Sequence, residues 1–294
     1  MPEPILVVGL NRSGTKWLSN ILCNHPQIAG VQSKRARGIL ETNLFHRMQE
    51  KFDLRSGDDY VGFVELWKKT EFFQVTGEDA EYLYSLDPRP LSFVRIFELV
   101  MQRFAIRRSA RFWLQKCDPE RALGIGLKLS NVRVVAIRRD TLATAQSMKQ
   151  LNVNTGRSFS LLKSLPGQVR SERLLKRVEQ RFDCITIDYD ELRSDPAAAT
   201  RSVCKQLSID FEESLLEVKF EPNTSFQSSK RPAPIAGLQR WLATLIILAS
   251  SLAPMWVLNR LLARKKRDEP PLKLVAGTFG DLKDHVADGK DYFT

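Results

Sequence analysis

PILVVGLNRSGTKWL, residues 4–18, changes its periodicity halfway along. Ile5 to Val8 is a continuous apolar run rich in branched side chains, the pattern of a strand covered on both faces of a parallel sheet. Further on, Trp17, Leu18, Ile21 and Leu22 fall on one helical stripe before NHPQI ends the helix. Between strand and helix lies a loop with two glycines, hydroxyls and cations: Gly9, Arg12, Ser13, Gly14, Thr15 and Lys16. A helix start after such a loop offers unpaired backbone N–H groups and the positive end of the dipole, so it attracts a phosphate or sulfate. The spacing is not that of the nucleoside-triphosphatase loop G-x-x-x-x-G-K-[ST], because Trp17 stands where the hydroxyl that holds Mg²⁺ should follow Lys16.

Outward from this stretch the strand-to-helix arrangement returns. RVVAI, residues 133–137, is a second buried strand, and it runs into a helix opened by Asp140 and Thr141 as caps. CITIDYDEL, residues 184–192, holds a third strand, and DPAAATRSVCKQLSI follows as a helix with Pro196 in its first turn. Residues 33–127 read as mostly helical with long polar connections. Three such units predict an α/β fold, a three-layer α/β/α domain with a mainly parallel central sheet and a phosphate-binding strand-loop-helix. The chain shows no internal repeat.

Composition narrows the function without naming it. The 294 residues, 43% hydrophobic and 27% charged, suffice for a packed core. The 45 basic against 34 acidic residues give a net charge of +11, which implies an anionic partner. No segment resembles a nucleic-acid module, and the cations accompany strand ends more than an aromatic-rich face, so no nucleic-acid partner is expected. Cys23, Cys117, Cys184 and Cys204 are scattered with no C-x-x-C pair, and with only His25, His46 and His285 as histidines a metal site has no local support. The expectation is a reduced, cytoplasmic chain without a metal. No basic n-region with an apolar run opens the sequence, so neither signal peptide nor N-terminal anchor is expected.

Four ordered motifs carry a family resemblance. LNRSGTKWL resembles the 5′-phosphosulfate loop of sulfotransferases that use 3′-phosphoadenosine 5′-phosphosulfate (PAPS). In VVAIRRDTLATAQSM, Arg139 and Ser147, eight residues apart, match that family's 3′-phosphate pair. FWLQKCDPE is similar to its apolar-x-x-Lys stretch, with Lys116 at the lysine position and Cys117 and Asp118 departing from the pattern. ITIDYDELRSDPAAATRSVCKQLSI is similar to its strand, turn, Asp-Pro and helix, and reads as scaffold. Together the motifs span residues 4–212. The geometry suits the resemblance, since an arginine at a strand end and a serine two helical turns later can both face the crevice above the carboxyl edge of a sheet.

The resemblance implies a sulfuryl transfer from PAPS to an acceptor hydroxyl or amine, releasing adenosine 3′,5′-bisphosphate and needing no metal. Arg12 takes the position of the catalytic cation, Ser13, Gly14, Thr15 and Lys16 complete the phosphosulfate clamp, and Trp17 is a further cofactor-binding candidate. Lys16 stands where the family usually has a second threonine. Lys116 is a further catalytic candidate, and Lys230 and Arg231 are candidates for the nucleotide. The acceptor needs a general base, and RGILETNLFHRM supplies Glu41 and His46. Glu41 is preferred, because its apolar setting among Ile39, Leu40, Leu44 and Phe45 is expected to raise the carboxyl pKa. The competing reading is a P-loop-like nucleotide phosphotransferase or hydrolase.

Trp241 to Asn259 runs without a formal charge, interrupted by Ser250, Ser251 and Pro254, and is flanked by Lys230, Arg231 and Arg240 before it and by Arg260, Arg264, Lys265, Lys266 and Arg267 after it. Cations on both sides argue against a simple span and for a helical hairpin or broken helix resting on an anionic membrane surface. A core helix or an oligomer interface is the alternative. The chain therefore divides into a sulfotransferase-like domain at residues 1–237, a membrane-associating or packing segment at 238–267 and an acidic tail at 268–294. Peripheral attachment through residues 241–262 and a lipid, glycolipid or glycan acceptor near a membrane follow as expectations.

Overall fold

The computed structural model describes residues 1–42, 44, 48–154, 159–217 and 237–263. In chain order its first half comprises β1 (Glu3–Gly9), α1 (Thr15–Leu22), β2 (Ile28–Gly30), β3 (Gln32–Ser33), β4 (Gly38–Ile39), α2 (Gly57–Lys68), α3 (Glu71–Thr76), α4 (Ala80–Tyr84), α5 (Phe93–Arg107) and β5 (Phe112–Cys117). Its second half comprises α6 (Pro119–Gly126), β6 (Arg133–Arg138), α7 (Thr141–Asn154), α8 (Leu161–Arg181), β7 (Cys184–Asp188), α9 (Tyr189–Ser194), α10 (Pro196–Leu207), α11 (Gly237–Leu252) and α12 (Met255–Ala263). Five strands form one sheet in the order β2-β5-β1-β6-β7. Every pairing within it is parallel. The two short strands β3 and β4 pair antiparallel beside it.

Alternation along β1 builds the three layers. Ile5 and Val7 point to one face, where they pack with Leu18 and Leu22 of α1 and with Val203 and Leu207 of α10. Leu6 and Val8 point to the other face, toward Val100 and Phe104 of α5, Ala122 of α6 and Val178 of α8. All four β1 side chains are fully buried, as a strand covered on both sides requires.

The sheet holds more strands than the three legible in the sequence. β2 has three residues, too short for any periodic signal. β5, FWLQKC, falls in the stretch that reads as mostly helical, since its Gln115 and Lys116 interrupt the apolar pattern, yet it lies directly against β1, pairing Val7 with Lys116 and Val8 with Cys117. Cys117 and Cys204 are buried, and all four cysteines are free thiols.

The caps are local and readable. The Asp140 carboxylate accepts from Ala143 N at 2.7 Å at the start of α7. Asp118 accepts from Arg121 N at 2.9 Å with Pro119 in the first turn of α6. Asp195 accepts from Ala198 N at 2.9 Å with Pro196 at the start of α10. Carboxylates in these places satisfy orphan N–H groups and favour the helix dipole. α11 and α12 are joined by a bend of 120° and pack on the outer side of α8, away from the sheet.

Candidate active site

β1 lies between β5 and β6: the chain leaves it for β2 on one side and later crosses from β5 to β6 on the other, so a crevice opens at its carboxyl end. The loop from Leu10 to Gly14 sits in that crevice. Ser13 N donates to Leu10 O at 3.0 Å, closing a turn whose third residue is Arg12 with φ +74°. Positive φ at that position normally calls for glycine, and a side-chain-bearing residue held there carries about 1–2 kcal/mol of strain. Gly14 follows with φ +96° as the N-cap of α1. A Cβ on Gly14 would come within 2.6 Å of the Tyr189 ring, and one on Gly9 within 2.5 Å of Ser13 Oγ and 2.8 Å of Ile137 O. The two glycines therefore let the loop press against β6 and Tyr189.

Around this loop the structure gathers Arg12, Arg139 and Ser147. Arg139 Nη1 donates to Arg12 O at 2.6 Å, and its guanidinium lies 4.0 Å over the Tyr189 ring. Arg12 Nε donates at 3.4 Å to the Oγ of Ser147, which lies at the end of the second turn of α7. Burial and the neighbouring Arg139 cation pull Arg12 below the ordinary arginine value, with Tyr189 pulling in the opposite direction. The first turn of α1 contains no acidic residue, so cations converge on the positive end of a helix dipole. Ser13 and Thr15 are buried beneath the loop, and Ser13 Oγ has no hydrogen-bond partner among the described residues.

A second cluster borders the first. Lys16 Nζ donates to Ala36 O, and Asn20 Oδ1 accepts from Ile39 N at 2.9 Å, so α1 ties down the β3–β4 hairpin and with it Glu41. Glu41 forms an ion pair with Lys116 of β5 and lies 3.7 Å from Arg121. Burial by itself would lift the Glu41 carboxyl, but the charge and hydrogen bond of Lys116, followed by Arg121 and Lys16, outweigh it and hold the carboxyl below the usual range. The expectation of a raised value is thereby reversed: burial does push the carboxyl up, and the cations opposite it prevail. Lys116 keeps a side-chain exposure of 14%, so it is no surface lysine.

The other candidates divide plainly. Trp17 is half-buried and packs against the core on the α1 side of the sheet. His25 is buried, with Nε2 2.9 Å from Asp210 O and Nδ1 accepting from Gln27 N at 3.0 Å, a structural role. His46, Lys230 and Arg231 lie outside the described residues. Tyr189 and Arg121 were not singled out by sequence reasoning. Tyr189 follows β7 directly, and the signal that pointed to Arg139, a residue just past the carboxyl end of a buried strand, applies to it equally. Among the described residues no group of three or more His, Cys, Asp and Glu is placed to hold a metal ion.

The sequence model of the sulfotransferase family matches residues 4–213. Among solved structures, the sulfotransferase domain of the olefin synthase from Synechococcus PCC 7002 shares 15% identity, covering 92% of this chain and 96% of its own, with a TM-score of 0.49. A sulfotransferase from Alicyclobacillus acidocaldarius shares 18% identity over 92% and 97% of the two chains, with a TM-score of 0.49. The sulfotransferase domain of the curacin biosynthetic pathway shares 16% identity over 92% and 99%, with a TM-score of 0.48. No curated protein matches the chain significantly.

Proposed function

The chain belongs to the sulfotransferase family, and on that premise we propose that its donor is PAPS, that its acceptor is a hydroxyl or amine, and that adenosine 3′,5′-bisphosphate is the nucleotide product. The observation that carries this reading is the meeting of Arg12 and Arg139 at the N-terminus of α1, two like charges brought together where the helix dipole is already positive. Such a cluster is stabilised by a polyanion. PAPS carries two anionic groups on one ribose, which calls for adjacent cationic subsites rather than one.

In this reading the backbone N–H groups from Gly14 to Lys16, with the side chains of Arg12, Ser13, Thr15 and Lys16, hold the 5′-phosphosulfate. Arg139 and Ser147 hold the 3′-phosphate, with Trp17, Lys230 and Arg231 as further nucleotide contacts. The acceptor atom bonds to sulfur as the bond from sulfur to the bridging oxygen breaks, and charge develops on the departing phosphate. Arg12 faces that charge, and its partial desolvation strengthens the interaction. Lys116 is the second cation within reach, oriented by Glu41. The acceptor proton goes to Glu41, or to His46 if that histidine reaches the acceptor instead. A carboxylate held below its usual pKa is a weaker base but is fully ionised at neutral pH. We place the acceptor on a lipid, glycolipid or glycan near a membrane, because α7, which presents Ser147, also packs against the apolar α11.

Titration calorimetry with adenosine 3′,5′-bisphosphate, and separately with ATP and Mg²⁺, tests the donor. Tight binding of the bisphosphate without Mg²⁺ and weak binding of ATP are expected. Preference for ATP with Mg²⁺ would move the chain to the phosphotransferase or hydrolase reading.

A further inference from the structure

The hairpin of α11 and α12 has two apolar faces, and among the described residues one of them is covered by the domain. Ala243, Ile246 and Ile247 of α11 pack against Leu161 and Leu165 of α8 and Ala145 of α7. Leu258 of α12 is buried, Arg170 of α8 donates to Asn259 Oδ1 at 2.6 Å, and Arg173 donates to Ala253 O. These contacts hold the hairpin to the domain by its inner side. On the outer side of α11, Leu238, Trp241, Leu242, Leu245, Leu248 and Leu252 recur at helical spacing and are 37–87% exposed. Trp256 and Leu261 continue the apolar surface onto α12 at 65% and 60% exposure. A contiguous stripe of this kind is exceptional on a soluble surface and marks an interaction site.

We propose that this outer face seats the protein on an anionic lipid bilayer as an in-plane hairpin. The argument rests on charge, length and residue type together. Residues 237–263 contain no acidic residue, and their two charges, Arg240 and Arg260, are both exposed. Arg264, Lys265, Lys266 and Arg267 follow directly in sequence. Pairing this face with a second copy about a two-fold axis would oppose cations without a carboxylate on the hairpin to compensate them. An anionic headgroup layer compensates them at about 1 kcal/mol per cation. α11, at 16 residues, spans about 24 Å, and α12, at 9 residues, about 14 Å, so neither crosses a hydrocarbon core of about 30 Å. The bend of 120° fits a helix pair lying at the interface, and Trp241 and Trp256 are the side chains that favour that depth.

Flotation of the full chain with vesicles of phosphatidylcholine alone, and of phosphatidylcholine mixed with phosphatidylglycerol, tests the proposal. Flotation with the mixed vesicles is expected, with little on the neutral ones. The double substitution Leu245→Glu and Leu248→Glu changes two exposed positions, so the fold should survive, as an unchanged melting temperature would verify, while vesicle partitioning falls about 100-fold. Arg240→Gln with Arg260→Gln should weaken partitioning onto the mixed vesicles about 30-fold and narrow the lipid preference without abolishing it, because Arg264, Lys265, Lys266 and Arg267 remain. No flotation with either vesicle, equal flotation with both, or flotation unchanged by the glutamates overturns the proposal. So does a dimer in vesicle-free solution that the glutamates dissociate, which would make the face a self-interface. None of these readings depends on the donor cradle, so the sulfotransfer assignment stands or falls separately.

Discussion

At the scale of single residues, Arg139 does two things at once: it donates to Arg12 O at 2.6 Å and stacks over Tyr189 at 4.0 Å. Arg139→Ala should therefore weaken the bisphosphate by about 2–4 kcal/mol through loss of a charge-assisted fork and of the contact that steadies the loop. A nucleotide lacking the 3′-phosphate should lose much less; equal losses in calorimetry would remove Arg139 from the 3′-phosphate subsite. Gly14→Ala places a Cβ 2.6 Å from Tyr189 at φ +96° and should cost about 1–3 kcal/mol in urea unfolding. It should also weaken the bisphosphate, because relief of the clash displaces the ring that supports Arg139. Normal affinity in that variant would show that Tyr189 is only a packing residue.

At the scale of elements, the base candidate and its cation come from different places: Glu41 follows β4, and Lys116 lies on β5. Glu41→Gln should lower turnover by roughly 10²- to 10⁴-fold with nucleotide affinity nearly intact, and His46→Ala should be milder. The reverse pattern would make His46 the base. Because the folded Glu41 value is depressed, the ionised form and its pairing persist above the ordinary value of 4.5 and are lost only as pH falls through the lower folded value. The acid limb of kcat/KM should accordingly lie below pH 4.5. Lys116→Gln should raise that limb, because the cation that holds the carboxyl down is lost while its burial remains. An acid limb that ignores Lys116 would mean another group is titrating.

At the scale of the whole molecule, the hairpin touches the domain through a small satellite cluster and the outer side of α8, while the sheet and its two main clusters are complete without it. Deleting residues 238–294 should leave a folded protein that binds the bisphosphate, with the melting temperature lowered by roughly 5–15 °C as Leu161 and Leu165 become exposed. An insoluble product would place α11 in the core and set the domain boundary proposed at residue 237 elsewhere.

What the sequence determined by itself is local. The strand, loop and helix of residues 4–18, the cap at Asp140, the helix opened by Pro196, and the spacing of Arg139 and Ser147 were all legible, because each depends on neighbours within a few turns of chain. The apolar segment at residues 241–259 was likewise visible, and its break at Pro254 foretold a bent pair. The tertiary structure decided the rest. β5 reads poorly as a strand until β1 pairs with it, and its Lys116 meets Glu41 only across 75 positions of sequence. Tyr189 enters the cradle only because β7 lies beside β6. The direction of the Glu41 shift reversed for the same reason: apolar neighbours adjacent in sequence suggest a raised carboxyl, whereas Lys116, Arg121 and Lys16 arrive from three other elements or their flanks and act through space.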